Sequence, residues 1–308
     1  MSAQLLDRNA QLNLEHIPSL KTRNRAQSRL DSLAWNSGLS FIAYGVRVGL
    51  RSNRADTLQK CLDFLPLGWK PSSSSVVECL YSIVSAETAG SQPAPLFCLY
   101  KDNELLSRSS SPGAVLERFE SDVALHIADV TRKRVFVHAG VVGWGGSAIL
   151  IPARSLSGKT TLVIDLVRAG ATYYSDEFAV IDQRGFVHPY ARPLQVREDG
   201  SLQQSKCPVE RIGGVAGRVP LPVGLVLLTR FKAGSKWRPR HISAGRAILG
   251  ILDNTVSARR APAQALKTLK LVASRSFAVQ GVRGEGGEVV DWISTHFHPQ
   301  SIFPTPGD

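Results

Sequence analysis

Apolar and polar positions follow two rhythms along this chain, one of strands and one of helices. Apolar runs at 39–50, 76–84 and 96–100 read as strands, and 56–64 between them reads as a helix. Residues 112–130 carry Leu116, Phe119, Val123 and Ile127 at helical spacing, with Pro112 near the start, where a missing N–H costs a helix nothing. Serine- and glycine-rich stretches at 72–75 and 107–113 read as breaks. Beyond them, 135–139 and 147–151 read as buried strands. Leu162, Val163, Leu166 and Val167 then recur at helical spacing, and Gly170 stands where a helix C-cap glycine belongs. Strands are predicted at 171–174, 178–181, 225–229 and 277–282, and helices at 243–252 and 262–273.

This pattern predicts an α/β chain in two parts. Residues 1–130 form a smaller α/β N-terminal domain whose first 35 or so residues are a polar, basic tail or surface helix. Residues 131–308 form the second domain. Residues 299–308 hold three prolines and are expected to be loose. Pro222-Val223-Gly224 and Trp237-Arg238-Pro239-Arg240 read as loops that could sit over a substrate.

The stretch entering and leaving residue 153 carries chemistry. Ala153-Arg154-Ser155-Leu156-Ser157-Gly158-Lys159-Thr160-Thr161 lies between the strand at 147–151 and the following helix. It matches the phosphate-binding pattern G-x-x-x-x-G-K-[ST] except at its first position, where Ala153 replaces a glycine. In such a loop the backbone N–H groups wrap the phosphates. The lysine meets the β/γ-phosphates, and the hydroxyl after it reaches Mg²⁺. Asp176-Glu177 follow a predicted strand a short distance on. Beside such a loop, one carboxylate can hold Mg²⁺ and the other can accept the proton of an attacking hydroxyl. Alone they would read as a solvated turn.

Val137-His138-Ala139-Gly140-Val141-Val142, then Ser155 to Leu162, Gly170 and Ser175-Asp176-Glu177, together resemble the HPr serine kinase/phosphorylase family. The likeness is strongest to its divergent HPr-kinase-related members, which include kinases found with biosynthetic clusters for lasso and other ribosomally made peptides. It covers residues 131–200. The resemblance implies a P-loop core like that of phosphoenolpyruvate carboxykinase, with ATP and Mg²⁺ as cofactors. It implies that Lys159 binds the β/γ-phosphates, that Thr160 and Glu177 hold the metal, that Asp176 is the base, and that His138 lies near the transferred phosphoryl group. A further family segment, Glu-Ile-Arg-Gly-Leu-Gly, falls near Gln195-Val196-Arg197-Glu198. Only the arginine matches there, so the resemblance gives no support to phosphorylase activity or a second metal site.

Each of these residues also has a plainer reading. His138 sits in an apolar run, where a histidine is commonly a packed core residue. Arg192 and Arg197 can clamp a phosphate or a peptide carboxylate with a planar fork of donors, or can be surface charge on a β-edge. Arg283, in Val282-Arg283-Gly284, is a weaker candidate of the same kind. Asp182-Gln183-Arg184-Gly185 fits the D-x-x-G of GTPases, but no N-K-x-D follows it.

Composition narrows the setting. Of 308 residues, 43% are hydrophobic, enough for a core and too many for a disordered chain. No apolar stretch approaches the roughly 20 residues needed to span a bilayer, and the N-terminus lacks the layout of a secretory signal. Cys61, Cys79, Cys98 and Cys207 are scattered, which favours reduced thiols over a zinc site or a disulfide framework. The net charge of +12 is spread widely, with no recognition helix or finger spacing, so nucleic acid is not the expected partner. The sequence thus predicts a cytoplasmic kinase that moves the γ-phosphate of ATP to a hydroxyl, by resemblance a serine on a small protein or precursor peptide. The resemblance also allows a homo-oligomer. The alternative is a nucleotide-binding regulatory module of the same fold without transfer.

Overall fold

A computed structural model describes residues 20–22, 29–87, 95–153, 157–197 and 204–299. The chain is mixed α/β and divides into two compact units, Met1–Ile127 and Ala128–Asp308. No helix among the described residues is long and apolar enough to cross a membrane. Most of the expected basic tail lies outside the described residues, as do the last nine.

The first unit holds β1 (Ser37–Ala43), β2 (Val46–Ser52), α1 (Ala55–Cys61), β3 (Lys70–Ser72), β4 (Cys79–Glu87), β5 (Pro95–Lys101), β6 (Glu104–Ser109) and most of α2 (Pro112–Val130). Its sheet runs β3-β1-β2-β4-β5-β6. The apolar run at 39–50, expected as one strand, is a hairpin. The chain reverses at Tyr44-Gly45, both at positive φ (51° and 85°), as a two-residue turn matched to strand twist requires. Residues 107–109, expected as part of a break, complete β6. An edge strand has little apolar side to bury, so its serines hid it. Tyr81 ties α2 to this sheet. Its ring meets Phe119 edge-on at 5.2 Å, and its hydroxyl donates to Asp122 at 2.6 Å.

The second unit contains β7 (Arg134–Trp144), β8 (Ser147–Pro152), α3 (Lys159–Arg168), β9 (Thr172–Ser175), β10 (Phe178–Asp182) and β11 (Phe186–His188). After a short ribbon of Leu194–Arg197 and Gln204–Cys207 come β12 (Leu221–Phe231), β13 (Arg240–His241), α4 (Ala244–Leu252), α5 (Pro262–Arg275), β14 (Phe277–Arg283) and α6 (Gly287–His296). β8, β12 and β14 are mutually parallel, and β7 runs antiparallel to β8, β9 and β10. Alternate side chains go to opposite faces. Val135, Val137, Ala139, Val141, Leu150 and Val226 pack with Ile251 of α4 and Leu269 and Val272 of α5. Ile149, Ile151, Leu225 and Leu227 pack with Leu162, Val163 and Leu166 of α3 and Val289 and Ile293 of α6. The sheet is therefore buried on both faces, which is why its strands read as nearly continuous apolar runs.

Two expectations change here. Pro222-Val223-Gly224 lies inside β12, where a Cβ on Gly224 would come within 2.8 Å of Ser147. The glycine marks close strand packing, and the segment is no loop over a substrate. Trp237 is buried, meets Trp292 edge-on at 6.4 Å, and donates its backbone N–H to Glu288, so its loop is anchored at that point. Helix α6 has no counterpart in the sequence reading, because its glycine-rich start gives no N-cap signal. The D-x-x-G motif closes the β10–β11 hairpin: Asp182 accepts the N–H groups of Arg184 and Phe186 and lies 2.9 Å from His188. That is turn chemistry.

Leu225 is fully buried in the central parallel strand. Leu225→Ala is expected to cost about 2–5 kcal/mol, to be read from the urea midpoint at unchanged slope.

Candidate functional site

The parallel register sets the location. Because β8, β12 and β14 run together, their carboxyl ends lie at one edge of the sheet, the edge at which open α/β sheets bind ligands. The loop after β8 opens there. Its residues Arg154, Ser155 and Leu156 lie outside the described residues. Ala153, Ser157, Gly158, Lys159, Thr160 and Thr161 are described.

Gly158 is the N-cap of α3, at φ 75°, a left-handed conformation that a side chain disfavours. Helix α3 therefore begins at Lys159, with Lys159 and Thr160 in its first turn. Its far end closes as the sequence predicts. Gly170, at φ 102°, donates to the Val167 carbonyl, and Ala171 donates to that of Leu166, the two bonds of a Schellman motif.

Lys159 is buried, 7% exposed. Gly140 on β7 makes this burial possible, since a Cβ there would stand 2.7 Å from Val163 and 3.1 Å from Cγ of Lys159. Burial lowers the lysine's pKa to about 8, against the pull of Asp176 and Glu177. Its Nζ lies 3.3 Å from Nδ1 of His138. That nitrogen is already engaged with the carbonyl of Ala153 at 2.6 Å, which calls for a proton on Nδ1. Burial, and then the charge of Lys159, hold His138 below its ordinary pKa and so neutral. An Nδ1–H cannot also accept from an ammonium. Among the described residues, Lys159 has no carboxylate within ion-pairing distance.

His138 holds Ala153 twice, for its own carbonyl accepts the Ala153 N–H at 3.3 Å. Its ring stands edge-on to Phe178 at 6.0 Å. The first position of this loop thus has its N–H and its carbonyl both engaged by one residue.

The acidic pair follows a one-residue register shift at Tyr174 and lies where two strands meet along one partner, with the Glu177 carbonyl still accepting the Ala139 N–H at 3.2 Å. β9 and β10 both pair with β7, Ser175 opposite Val141 and Phe178 opposite His138, and Asp176-Glu177 is the kink between them. Ser175 Oγ secures the kink by accepting the N–H groups of Glu177 and Phe178. Asp176 is buried and accepts two hydroxyls: Thr160 at 3.2 Å and Tyr173 at 3.1 Å. The Tyr173 hydroxyl also reaches the Arg192 carbonyl at 2.8 Å, and burial followed by the Asp176 charge raises its pKa. Glu177 is more open, with Arg192 at 3.6 Å. The carboxylate touching the loop's hydroxyl is therefore Asp176, whereas the sequence reading gives the metal to Glu177. Arg197 lies on the ribbon strand, and its side chain is outside the described residues.

Two further residues belong to this constellation. Tyr173 reads in the sequence only as an apolar strand residue. Arg283 is fully enclosed and donates to the Gly158 carbonyl at 2.7 Å. The sequence marks it only as a late basic residue beside a glycine, and the parallel pairing of β14 gives it this place. Ser157 Oγ is buried with no partner among the described residues. Among them no group of three or more His, Cys, Asp or Glu could cage a metal. A phosphate-bound Mg²⁺ needs only one or two protein oxygens, which Thr160 and Asp176 offer. A separate groove of about 700 Å³, lined by Phe186, Val223, His241, Arg275 and Phe277 among others, lies at the amino ends of β12 and β14, away from the loop.

No protein-family model matches this chain, and no curated protein matches its sequence.

Gly158→Ala would set a Cβ 2.8 Å from the Arg283 guanidinium and force a left-handed alanine. It is expected to cost about 1–2 kcal/mol from the backbone alone. Thermal melting of the variant beside wild type measures this.

Proposed function

We propose that the second unit is an ATP-dependent kinase with an HPr-kinase-like P-loop core, moving the γ-phosphate to a hydroxyl, by resemblance a serine of a small protein or ribosomally made peptide. The observation that carries this reading is Lys159, buried at the start of a helix with no carboxylate at ion-pairing distance among the described residues. A triphosphate supplies the missing charge. The N–H groups at the α3 N-terminus and the helix dipole act at the same point.

In this reading the substrate hydroxyl attacks the γ-phosphorus in line. Its new O–P bond forms as the bond to the β-phosphate oxygen breaks, and ADP leaves. The hydroxyl proton passes to a carboxylate. Asp176 and Glu177 divide the two acidic roles. Asp176, joined to Thr160, would help hold the metal, and Glu177, more open and beside Arg192, would take the proton. Mg²⁺, when bound, offsets phosphate charge. Lys159 holds the β/γ-phosphates and the loop orients them.

Lys159→Ala is expected to abolish binding of Mg·ATP, read by calorimetry. Asp176→Asn and Glu177→Gln should each retain binding and lose about 10²-fold or more in transfer of label from γ-labelled ATP to serine peptides. Extra Mg²⁺ should recover activity in Asp176→Asn and leave Glu177→Gln unchanged. Recovery in Glu177→Gln instead would return the metal to Glu177 and the base to Asp176.

Binding should also depend on pH. With Lys159 near 8, the free protein carries the ammonium below that value and loses it above. An anion binds the charged form, so triphosphate affinity is full below about pH 8 and falls as pH rises through it. Proton uptake on binding above pH 8, read in buffers of different ionisation enthalpy, checks the sign.

A second reading, nucleotide binding without transfer, is favoured by one observation. One oxygen of Asp176 holds the Thr160 hydroxyl, and the other shares the single Tyr173 proton with the Arg192 carbonyl. Retained ATP binding with no labelled product over the same peptides would select it.

A further inference from the structure

Arg283 is 2% exposed. Its Nη2 donates to the carbonyl of Gly158 at 2.7 Å and its Nη1 to that of Gly284 at 3.1 Å. Its Nε is buried without a partner among the described residues, and the Phe231 ring lies 5.5 Å from Cζ. No carboxylate reaches ion-pairing distance of it among those residues. Asp165 and Glu285 act on it only at longer range, too weakly to offset the burial that lowers its pKa. A buried cation held by carbonyls alone is expensive, so its position calls for a reason.

The Gly158 carbonyl supplies one. It accepts both Arg283 and the first helical N–H, from Leu162 at 3.2 Å. In a trans peptide the C=O and the next N–H point in opposite directions across one plane. Holding the Gly158 carbonyl against Arg283 therefore turns the Lys159 N–H the opposite way, the side on which a loop of this kind wraps phosphate. Glycine at 158 is needed twice over, for φ 75° and because a Cβ would press on Nη2 at 2.8 Å. The chain after Arg283 packs behind the helix as well. A Cβ on Gly286 would overlap the Asp165 carboxylate of α3, and one on Gly284 would overlap the Ser235 carbonyl.

We infer that Arg283 is a positioning residue of the phosphate loop: from the end of β14 it clamps the Gly158–Lys159 peptide from behind, so that the Lys159 N–H and the start of α3 meet the phosphates in a fixed orientation. His138 holds the loop's first position, Ala153, and Arg283 holds its last. The loop is thereby fastened at both ends by side chains distant in sequence. This inference rests on the phosphate-loop reading, and it adds a residue that does not touch the reacting atoms.

The test is binding of Mg·ATP and of inorganic pyrophosphate to wild type, Lys159→Ala, Arg283→Ala and Arg283→Lys, each shown to be folded by its melting curve. Arg283→Ala is expected to bind both probes at least about tenfold more weakly, the scale of a lost charge-assisted hydrogen bond. Low-millimolar guanidinium should recover part of that loss in Arg283→Ala and leave wild type unchanged, a response that general loosening of the fold would not give. Arg283→Lys, which has a point charge in place of a fork, should also bind more weakly than wild type. It carries the test if Arg283→Ala does not fold. Wild-type affinity in a folded Arg283 variant, or a loss that guanidinium does not relieve, overturns the clamp while leaving the loop intact. Wild type failing to bind either probe, or Lys159→Ala binding as well as wild type, overturns the phosphate-loop reading itself and the clamp with it.

Discussion

A buried ammonium needs an anion, and among the described residues no carboxylate comes within ion-pairing distance of Lys159. The neighbouring imidazole cannot help, because its Nδ1 is committed to the Ala153 carbonyl. Asp176 and Glu177 act on the lysine through space and reduce, without cancelling, the effect of burial. Much of the local architecture serves this arrangement. Gly140 lacks the side chain that would push the lysine out, and Gly158 takes the backbone angle that starts α3 at this residue. The cost falls on the ligand-free protein, a familiar condition for sites prepared for a charged ligand.

The acidic pair illustrates how a sheet can aim side chains. β7 carries β9 and then β10 along one side, and the register slips by one residue at Tyr174, between the Tyr173–Val142 and Ser175–Val141 pairs, just before Asp176 and Glu177. Bulges of this kind re-aim side chains near sites. They also separate two chemically similar groups. Asp176 is buried and holds Tyr173 and Thr160, whereas Glu177 faces Arg192 and remains more accessible. Different surroundings make two adjacent carboxylates chemically distinct.

Much of this was readable in the chain. The apolar runs of β7, β8, β10 and β12 declared themselves because the sheet is covered on both faces. The end of α3 was marked by Gly170, required by a left-handed backbone, whereas its start at Lys159 falls inside the stretch expected as loop. The loop pattern, the lysine, the hydroxyl after it and the acidic pair all lie within a short stretch, where spacing alone is informative. Elements with weak apolar signals were hidden: β6 at a sheet edge, the Tyr44-Gly45 reversal inside an apolar run, and α6 behind a glycine-rich start. Pro222-Val223-Gly224 misled in the other direction, since a glycine that suggests a loop can equally mark two strands packed closely.

What the sequence determined by itself is local: the strands and helices with strong apolar patterns, where α3 ends, and that a lysine, a threonine and two acids stand at the spacing of a phosphate site. The tertiary structure decided the rest. Arg283 lies 125 residues from Gly158 and meets it only because β14 runs parallel to β12 and β8. Tyr173 becomes a partner of Asp176 through the kink that follows it, and His138 becomes the holder of Ala153 because β7 and β8 pair in antiparallel register. Local spacing specifies which groups are available. Long-range pairing specifies which of them meet, and with what partners, because hydrogen bonds and ion pairs depend on positions that only the folded chain brings within reach.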